Sequence, residues 1–539
     1  MVNERVAENH KGMSFLEAEG RYKGIFAWIF STDHKRIGIL YLVVMLAFFA
    51  VGATIGLFMR LELIAPGPTI MQAQTYNVLF TLHGVIMIFL FIIPGLAAPF
   101  GNFFLPILIG AKDVAFPRLN LLSWWLFFSG GILALVSLFV SGGPVDTGWT
   151  FYAPYSIRTV TNVSLAVFAV FLIGLSSILT GINFLTTIHR LRAPGMGWFR
   201  MPLFVWSLYA TAWLQVIATP VIGLTLLLVI IERFFGVGFF DPAKGGDPVL
   251  YQHLFWIYSH PAVYIMIIPA MGVISEIIPT FAKRTVFAYK AIAFSSVMLA
   301  LVGYLVWGHH MFVSGISPRA AMIFSFFTFI VAIPSGIKVF YWLASLYKGS
   351  IEIETPLLYA LSFIFLFSIG GLTGLINGAV ATNVHIHGTY FIVAHFHYVM
   401  FGGTGFAFIA ALYYWLPKMS GRMYNKKFSR ITWVFLFAGF NVLYFPMFIL
   451  GLMGMPRRYY DYLPEFQTWN LISTVGSWIL VLGIILMFYN LISSLFKGEK
   501  TGDDPWGGTT LEWQVSSPPP AENFEKIPLI EHGPYEFKR

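Results

Sequence analysis

Histidine is the residue type best suited to chemistry in this sequence, which has 13 histidines and no cysteine. Neutral imidazoles with an open coordination position suit copper, iron or zinc. Without cysteine the chain cannot form disulfides, iron–sulfur clusters, thiolate zinc sites, c-type haem attachments or thiol nucleophiles. A metal bound by this chain must therefore be held by histidine, carboxylate, tyrosine, backbone or water.

The spacing of the histidines divides them into groups. Successive residues of a helix are rotated by about 100°, so His395 and His397 face opposite sides of their helix and cannot share one metal. They indicate two centres that flank one helix. His260 and Tyr264 are one turn apart, which places the imidazole and the phenol on the same face.

Six histidines fall at a similar depth in apolar runs of alternating direction. At about 1.5 Å per helical residue, they lie roughly 6–15 Å below the outer surface of the predicted bundle. A single histidine in such a run is ordinarily a packing residue, but ionisable groups in a membrane are costly, and six in one layer favour metal binding. The six are His83, His260, His309, His310, His395 and His397.

The elements that position these residues are membrane helices by composition. Of the 539 residues, 58% are hydrophobic and 11% are charged, and the mean hydropathy is +0.76. Ordinary globular proteins have about 25% charged residues, so a water-soluble protein, a coiled coil, a disordered scaffold and a nucleic-acid-binding domain are excluded. The net charge of +9 arises largely in loops, where it sets orientation rather than indicating nucleic acid.

About twelve apolar runs approach or exceed the roughly 20 residues that a helix needs to cross the hydrocarbon core. They predict an all-α polytopic membrane protein with about 12 transmembrane helices. The runs lie near 37–60, 77–102, 118–143, 160–188, 203–232, 252–282, 286–313, 320–345, 356–380, 387–417, 428–455 and 468–496.

Basic residues in the loops predict the orientation of the bundle. Alternate loops, such as 190–200 and 418–430, are rich in lysine and arginine, whereas the loops on the other side have few. By the positive-inside rule both termini lie inside. The chain then divides into an inner N-terminal segment at 1–36, a twelve-helix catalytic domain at 37–496 and an extended inner C-terminal surface tail at 497–539.

A series of motifs resembles subunit I of the haem–copper oxidases, and most closely the cytochrome c oxidase branch. The motifs follow one another over nearly the whole chain, which makes the resemblance specific. They are STDHKRIGILYL at 31–42, TLHGVIMIF at 81–89, HLFWIYSHPAVYI at 253–265, VWGHHMF at 306–312, HIHGTYFIVAHFHY at 385–398, GMPRRYYDY at 454–462 and PWGGTTLEWQVSSPPP at 505–520.

The resemblance implies two haems, expected to be of haem a type, and one copper. His83 and His397 match the axial ligands of a low-spin haem, and His395 matches the proximal ligand of a high-spin haem. The copper ligands that face the high-spin haem in the family correspond to three further histidines. They are His260, His309 and His310.

Other positions resemble residues that assist these cofactors. Tyr264 is similar to the family's tyrosine, which is bonded covalently to the copper-ligating histidine and supplies an electron and a proton. A pair of arginines suits carboxylates, although taken alone it could equally be a surface pair. In the family that this chain resembles, an arginine pair binds the haem propionates and a further arginine contacts the formyl group of the low-spin haem. The matching or neighbouring residues are Arg457, Arg458, Trp149, His387 and, for the formyl group, Arg60.

Two proton paths from the inner side are implied by the resemblance. Lys338 lies well inside the eighth run, where a snorkelling lysine would not be expected, and Ser335 and Ser275 would accompany it toward Tyr264. The second path would start at Asp113, which on its own would read as a solvated loop residue. Its other members would be Asn102, Asn120, Ser176, Ser177 and Asn183.

Two positions depart from the pattern of many relatives. Ala262 stands where many have a proton-relaying glutamate, and the preceding Tyr258-Ser259 resembles a variant class in which two hydroxyls replace that carboxyl. We therefore expect Tyr258 and Ser259 to order a water chain. Gly388 stands where relatives often have aspartate, which puts the usual magnesium site in doubt.

The resemblance implies the catalytic subunit of a cytochrome c oxidase with coupled proton pumping, which we expect in a bacterial plasma membrane. Expected partners are a subunit II with the copper site that receives electrons, subunit III and other membrane subunits, cytochrome c or a c-type haem domain, and lipid. A quinol oxidase is the first alternative, but the positions where such relatives tend to have His and Gln hold Thr75 and Val78. Nitric oxide reductase conflicts with the His260–Tyr264 pair and Lys338. A non-redox proton transporter would not need the six histidines.

Overall fold

The computed structural model describes residues 13–18 and 22–537. Residues 1–12 and 19–21 of the predicted N-terminal segment and residues 538–539 of the predicted tail therefore lie outside the described part. Within that part, twelve helices are long and apolar enough to cross a membrane, which confirms the all-α polytopic fold. They are α1 His34–Glu62, α2 Ala73–Leu108, α3 Pro117–Val136, α4 Val163–Arg190, α5 Leu203–Phe235, α6 Pro248–Ala282, α7 Tyr289–Met311, α8 Pro318–Leu346, α9 Thr355–Gly378, α10 Tyr390–Ser420, α11 Lys426–Leu452 and α12 Pro464–Lys497.

Several spans are not regular α-helices along their whole length. Helix α2 contains π-helical segments at Ile86–Ile92 and Ala97–Gly101, and α10 contains one at Met400–Gly405. Helix α3 ends at Val136, earlier than the apolar run suggests, and its last predicted residues form turns. The remaining described elements are short helices at Phe26–Ile29, Tyr155–Arg158, Trp198–Arg200, Pro242–Lys244, Val380–Ile386 and Leu511–Gln514, and strands β1 Arg422–Met423 and β2 Glu499–Lys500.

Helices α6 and α10 form the centre of the bundle. Of their most apolar stretches, 94% and 89% of the residues are buried inside the molecule, against 11% for α8. Helix α6 also contains three internal prolines, which a membrane helix tolerates when surrounding groups satisfy the freed carbonyls. One of them, Pro261, cannot donate to the carbonyl of Ile257, so the turn that holds His260 has one backbone acceptor to spare.

The C-terminal tail packs on one end of the bundle, together with the start of the chain. Ser14 bridges to Pro520, and β1 pairs with β2 in antiparallel register. Both described ends of the chain therefore lie on one side, as an even number of spans requires. The tail is less solvated than its polar sequence suggests, because aromatic side chains anchor it. Trp506 and Trp513 are buried and donate to the carbonyl and the hydroxyl oxygen of Tyr414.

Candidate metal centre

Three histidines from α6 and α7 meet in one cluster. Each of His260, His309 and His310 offers a ring nitrogen, and these atoms all lie within 4.8 Å of one another. Nδ1 of His260 and Nε2 of His310 approach to 3.0 Å. Two imidazole nitrogens at that distance either share a proton or face a common cation. His309 and His310 are consecutive residues, and both lie in the short 3₁₀ helix at Trp307–Met311. This helix turns both side chains toward α6, so that the two can reach one ion.

Neighbouring side chains fix the orientation of the cluster. The hydroxyl of Thr328 donates to the carbonyl of Phe324 at 2.6 Å, so its oxygen accepts from Nδ1 of His309 at 3.0 Å. That contact leaves Nε2 of His309 available for a metal. Trp256 stacks on His310, with ring centroids 3.7 Å apart and planes 8° apart. The cluster therefore has preset ring orientations, as a metal site with fixed geometry requires.

Tyr264 lies beside His260, as their spacing predicts. The two ring centroids are 4.8 Å apart, and Nε2 of His260 is buried without a hydrogen-bond partner among the described residues. The phenol ring packs directly on Gly303, where an added Cβ would lie 2.4 Å from Cδ2 of Tyr264. Glycine at 303 is therefore what allows the phenol to lie next to the cluster.

His395 and His397 point to opposite neighbours of α10, in agreement with their rotation. Nδ1 of His395 contacts the carbonyl of Gly370 on α9 at 3.0 Å. His397 instead stacks on Tyr444 of α11, with centroids 4.2 Å apart. Helix α10 thus presents one imidazole toward α9 and the other toward α11.

Three histidines share a hydrogen-bond pattern that suits iron ligands. Nδ1 of His83 contacts the carbonyl of Gly52 at 2.8 Å, and Nδ1 of His397 contacts that of Val393 at 2.8 Å. His395 uses Gly370 in the same way. A carbonyl only accepts, so each Nδ1 carries the proton and each Nε2 keeps its lone pair for a metal.

Arg60 is buried near the C-terminal end of α1, and some of its N–H donors are unpaired in the described part of the chain. Its Nη2 donates to the carbonyl of Asn470 at 2.8 Å, but Nε and Nη1 have no partner among the described residues. A buried guanidinium with unpaired donors is costly. Its surroundings therefore suit an additional acceptor, such as a carbonyl group of a ligand.

Outside the twelve long helices, the segments that connect them contain Arg457, Arg458, His387 and Trp149. The Arg457 backbone N–H donates to the carbonyl of Gly388 at 2.9 Å. Burial, followed by the charge of Arg458, lowers the pKa of Arg457 to about 9. Burial, and to a smaller extent the positive charge of Arg457, lowers the pKa of His387 to about 4. In the described part of the chain neither guanidinium has an ion pair, so this positive pair suits anionic groups of a ligand.

Trp149 lies between α6, which holds His260, and the part of α2 that holds His83. Its ring contacts Phe255 and Trp256 of α6 at centroid distances of 5.5 and 5.8 Å. On the other side it packs against Gly84, where an added Cβ would lie 2.9 Å from Cβ of Trp149. Since Gly84 follows His83, the tryptophan touches the helices of both histidine groups.

The Asp113 run comprises Asp113, Asn102, Asn120, Ser176 and Ser177. Oδ1 of Asn102, both amide atoms of Asn120 and Oγ of Ser177 are buried without partners among the described residues. Ser176 contacts the hydroxyl of Tyr41 at 3.0 Å. Burial, followed by repulsion from Asp33, raises the pKa of Asp113 to about 7. Asn183 is set apart, because its amide bonds the backbone of Phe116.

A cavity of about 30 Å³ is lined by Ser176 and Ser177 of the Asp113 run and by Tyr258. Ser259 is 2% exposed, and its Oγ has no partner in the described part. Ala262 is buried and supplies no polar group.

The Lys338 run comprises Lys338, Ser335 and Ser275, and its members bond other groups rather than each other. Nζ of Lys338 donates to Oγ of Ser296 at 2.8 Å and to the carbonyl of Ile292 at 3.2 Å. Ser275 accepts from Nε1 of Trp342 at 3.0 Å. Ser335 donates to a carbonyl of its own helix, that of Val331.

Several residues that support the site are missing from the sequence predictions. Trp256 precedes His260 by one helical turn, and that spacing could have indicated a shared face. Thr328 and Ser296 had no such signal, because they contact the site from other helices. Tyr41 lies within the first motif but carries no feature that separates it from other tyrosines.

Comparison with known proteins gives one consistent group. The family described as cytochrome C and quinol oxidase polypeptide I matches residues 36–479. Cytochrome c oxidase subunit 1 of Synechocystis is 47% identical over 509 residues, covering 94% of this chain and 92% of that protein. The subunit 1 proteins of Thermostichus vulcanus and Bacillus subtilis are each 44% identical, over 97% and 95% of this chain and over 95% and 83% of their own lengths.

The fold also matches a solved structure. A haem–copper terminal oxidase dimer determined by cryo-electron microscopy aligns with a TM-score of 0.71 at 22% identity. The alignment covers 87% of this chain and 85% of that one. At this identity the match concerns the fold.

Proposed function

Because the chain belongs to the haem–copper oxidase family, as its subunit I, and is the catalytic subunit of a terminal oxidase that reduces O₂, we propose which of its residues hold the cofactors and carry protons. The single observation that supports the proposal most is the cluster of His260, His309 and His310 beside Tyr264. Copper is assigned to this cluster because three imidazoles with an open position suit it.

We assign the haem irons to the other three histidines. His83 and His397 would hold the low-spin iron, and His395 the high-spin iron. The proton on Nδ1 of each ring, fixed by a backbone carbonyl, supports this assignment. Haem and copper, when bound, supply electron transfer and the reduction of O₂.

The protein's own part in the reaction is to orient the rings and to supply protons. The hydroxyl of Tyr264 would hold a proton for the reaction, and Gly303 leaves the space that the Tyr264 ring needs beside His260. The unpaired Nε2 of His260 supports a covalent bond to Tyr264, as in the family. Arg457 and Arg458 would bind haem propionates. His387 and Trp149 would complete the binding site for these groups.

Haem a type is proposed from Arg60. Its unpaired Nε and Nη1 suit a ligand carbonyl such as a formyl group. We assign no magnesium, since Gly388 offers no side-chain ligand at the position where relatives often have aspartate.

Protons are proposed to travel along two runs. The Lys338 run would lead toward Tyr264. The Asp113 run would lead through the cavity to Tyr258 and Ser259, whose hydroxyls would take the place of a carboxyl at position 262.

The chain is an integral membrane protein of a bacterial respiratory membrane and acts with other oxidase subunits. We propose that both termini face inside, because the basic loops and the tail share one end of the bundle, as in the contact of Lys112 with Glu522 at 2.6 Å. Partner assignments are a subunit II with a copper site, a subunit III and cytochrome c. With no cysteine, this chain offers no thiolate for that copper.

Oxygen consumption by the purified complex tests the function. Reduced cytochrome c should support it, and reduced-minus-oxidised spectra should show two haems, one of which responds to carbon monoxide. Faster oxidation of quinol than of cytochrome c would favour the quinol oxidase alternative. Spectra without haem would favour a proton transporter instead.

A further inference from the structure

Helix α5 has three buried polar residues on one face whose side-chain oxygens are unpaired. Thr211, Gln215 and Thr219 follow one another at intervals of four and are 1%, 4% and 0% exposed. Oγ1 of both threonines and Oε1 of Gln215 have no partner in the described part of the chain. The interval of four aligns them along one side of the helix over about 12 Å.

Other buried threonine hydroxyls in this region, unlike those of Thr211 and Thr219, do form hydrogen bonds. Thr225 on the same helix donates to the carbonyl of Val221 at 2.7 Å, and Thr180 on α4 donates to that of Ser176 at 3.0 Å. This bond to the preceding turn is the ordinary solution for a buried threonine. On α5 the side-chain oxygens of Thr211, Gln215 and Thr219 instead remain available to partners outside the helix. In a buried polar site, such partners are water molecules.

Gln215 borders the cavity of about 30 Å³ together with Ser177 and Tyr258. A water needs about 10–15 Å³ of such volume, so the cavity has room for about two. Most of the other lining residues are apolar, so the few polar atoms decide where waters lie. Two of them, Oε1 of Gln215 and Oγ of Ser177, have no protein partner among the described residues.

The cavity is bordered by Ser176 and Tyr258, and between these two residues the proposed proton route has no carboxyl or amine group. On one side the hydroxyl of Tyr41 contacts Ser123 and Ser176, both at 3.0 Å. On the other side Tyr258 precedes Ser259, and position 262 is alanine. Gly181 on α4 allows α5 to come close, since an added Cβ there would lie 3.0 Å from Cβ of Gln215.

We propose that Gln215 is the residue that positions the proton-carrying waters between Ser176 and Tyr258, with Thr211 and Thr219 extending its polar surface. The inference rests on the proposed function of the Asp113 run. An amide donates and accepts hydrogen bonds but does not titrate near neutral pH, so it orients water without retaining the proton. Each water accepts one proton and releases another, and no further reactant is needed.

The test uses the complete purified complex reconstituted in lipid vesicles. Gln215→Leu removes the polar atoms at similar size, Gln215→Glu restores an acceptor of the same length, and Thr225→Val is the matched control on the same helix. Haem and copper content, turnover with reduced cytochrome c, its pH profile and the infrared bands of internal water are measured for each.

Gln215→Leu should lower turnover roughly tenfold to a hundredfold and remove water bands, with unchanged haem and copper content. Gln215→Glu should restore the bands and most of the turnover, and Thr225→Val should match the wild type. If Gln215→Leu does not assemble, Gln215→Met is measured in its place.

Wild-type turnover, pH profile and water bands in the leucine or methionine variant would overturn the inference. Wild-type turnover and an unchanged pH profile in Asp113→Asn would instead overturn the proposed function of the Asp113 run, so the two failures are distinguishable.

Discussion

The Asp113 run and the Lys338 run differ in how their polar atoms are paired. In the first, Asn102, Asn120 and Ser177 have buried atoms without partners among the described residues, and Ser177 borders a cavity. In the second, Lys338 and Ser275 are bonded to Ser296 and Trp342. If both runs carry protons as proposed, the first would depend on water at its unpaired polar atoms, whereas the second would depend on one titratable side chain. Changes of polarity should harm the first, and loss of a single charge should harm the second.

The largest effect is expected from Lys338→Met. The described Lys338 run has one titratable side chain, so no other group replaces its amine. Turnover should fall by at least about a hundredfold, the size of a lost proton-transfer step, with haem and copper content unchanged. Steady-state oxygen consumption measures the loss, and the exposed Lys427→Met is the control. A loss below tenfold would break the comparison, since the run would then have another carrier.

Asp113→Asn should lower turnover about tenfold or more and change its pH dependence. The pKa of the Asp113 carboxyl is raised to about 7, so it is protonated below pH 7 and ionised above. Delivery of protons through it should therefore decline as the pH rises through about 7. Rate–pH profiles should show that decline in the wild type and in the exposed control Glu525→Gln, but not in Asp113→Asn. An identical profile in Asp113→Asn would contradict the assignment.

Removing the two hydroxyls at the end of the cavity should have an intermediate effect. Tyr258→Phe and Ser259→Ala should each lower turnover a few-fold and together about tenfold, because waters can partly replace one hydroxyl. Turnover and proton release from vesicles measure both. If both single variants keep wild-type turnover and pumping, these hydroxyls do not order the water chain.

Ser335→Ala should have the smallest effect. The Ser335 hydroxyl already donates to the carbonyl of Val331, so its loss should change turnover less than about threefold, within the cost of one satisfied hydrogen bond. Oxygen consumption measured beside Lys338→Met checks this. A loss as large as that of Lys338→Met would show that the hydroxyl carries protons after all.

Much of the fold could be predicted because hydropathy reports the length and apolarity of each span. The opposite faces of His395 and His397 followed from helical rotation alone. The π-helical segments of α2 and α10 could not be predicted, since composition does not reveal which carbonyl an N–H selects. Contacts between helices that are far apart in the sequence could not be predicted either.

Two particular residues show this limit at the site. Gly303 looks like any glycine of a membrane helix until the ring of Tyr264 is found against it. Gln215 is one polar residue in an apolar run, and only the cavity beside it gives it a role. In both cases the information lies in the neighbour across the interface rather than in the local sequence.

Haem and copper analysis of the purified complex tests the central assignment most directly. The account predicts two haems and one copper for each copy of this chain, beyond the copper of any partner subunit. His309→Ala should lose this one copper and keep both haems. A wild-type complex without haem, or a His309→Ala complex with its copper content unchanged, would contradict the assignment of the histidine cluster.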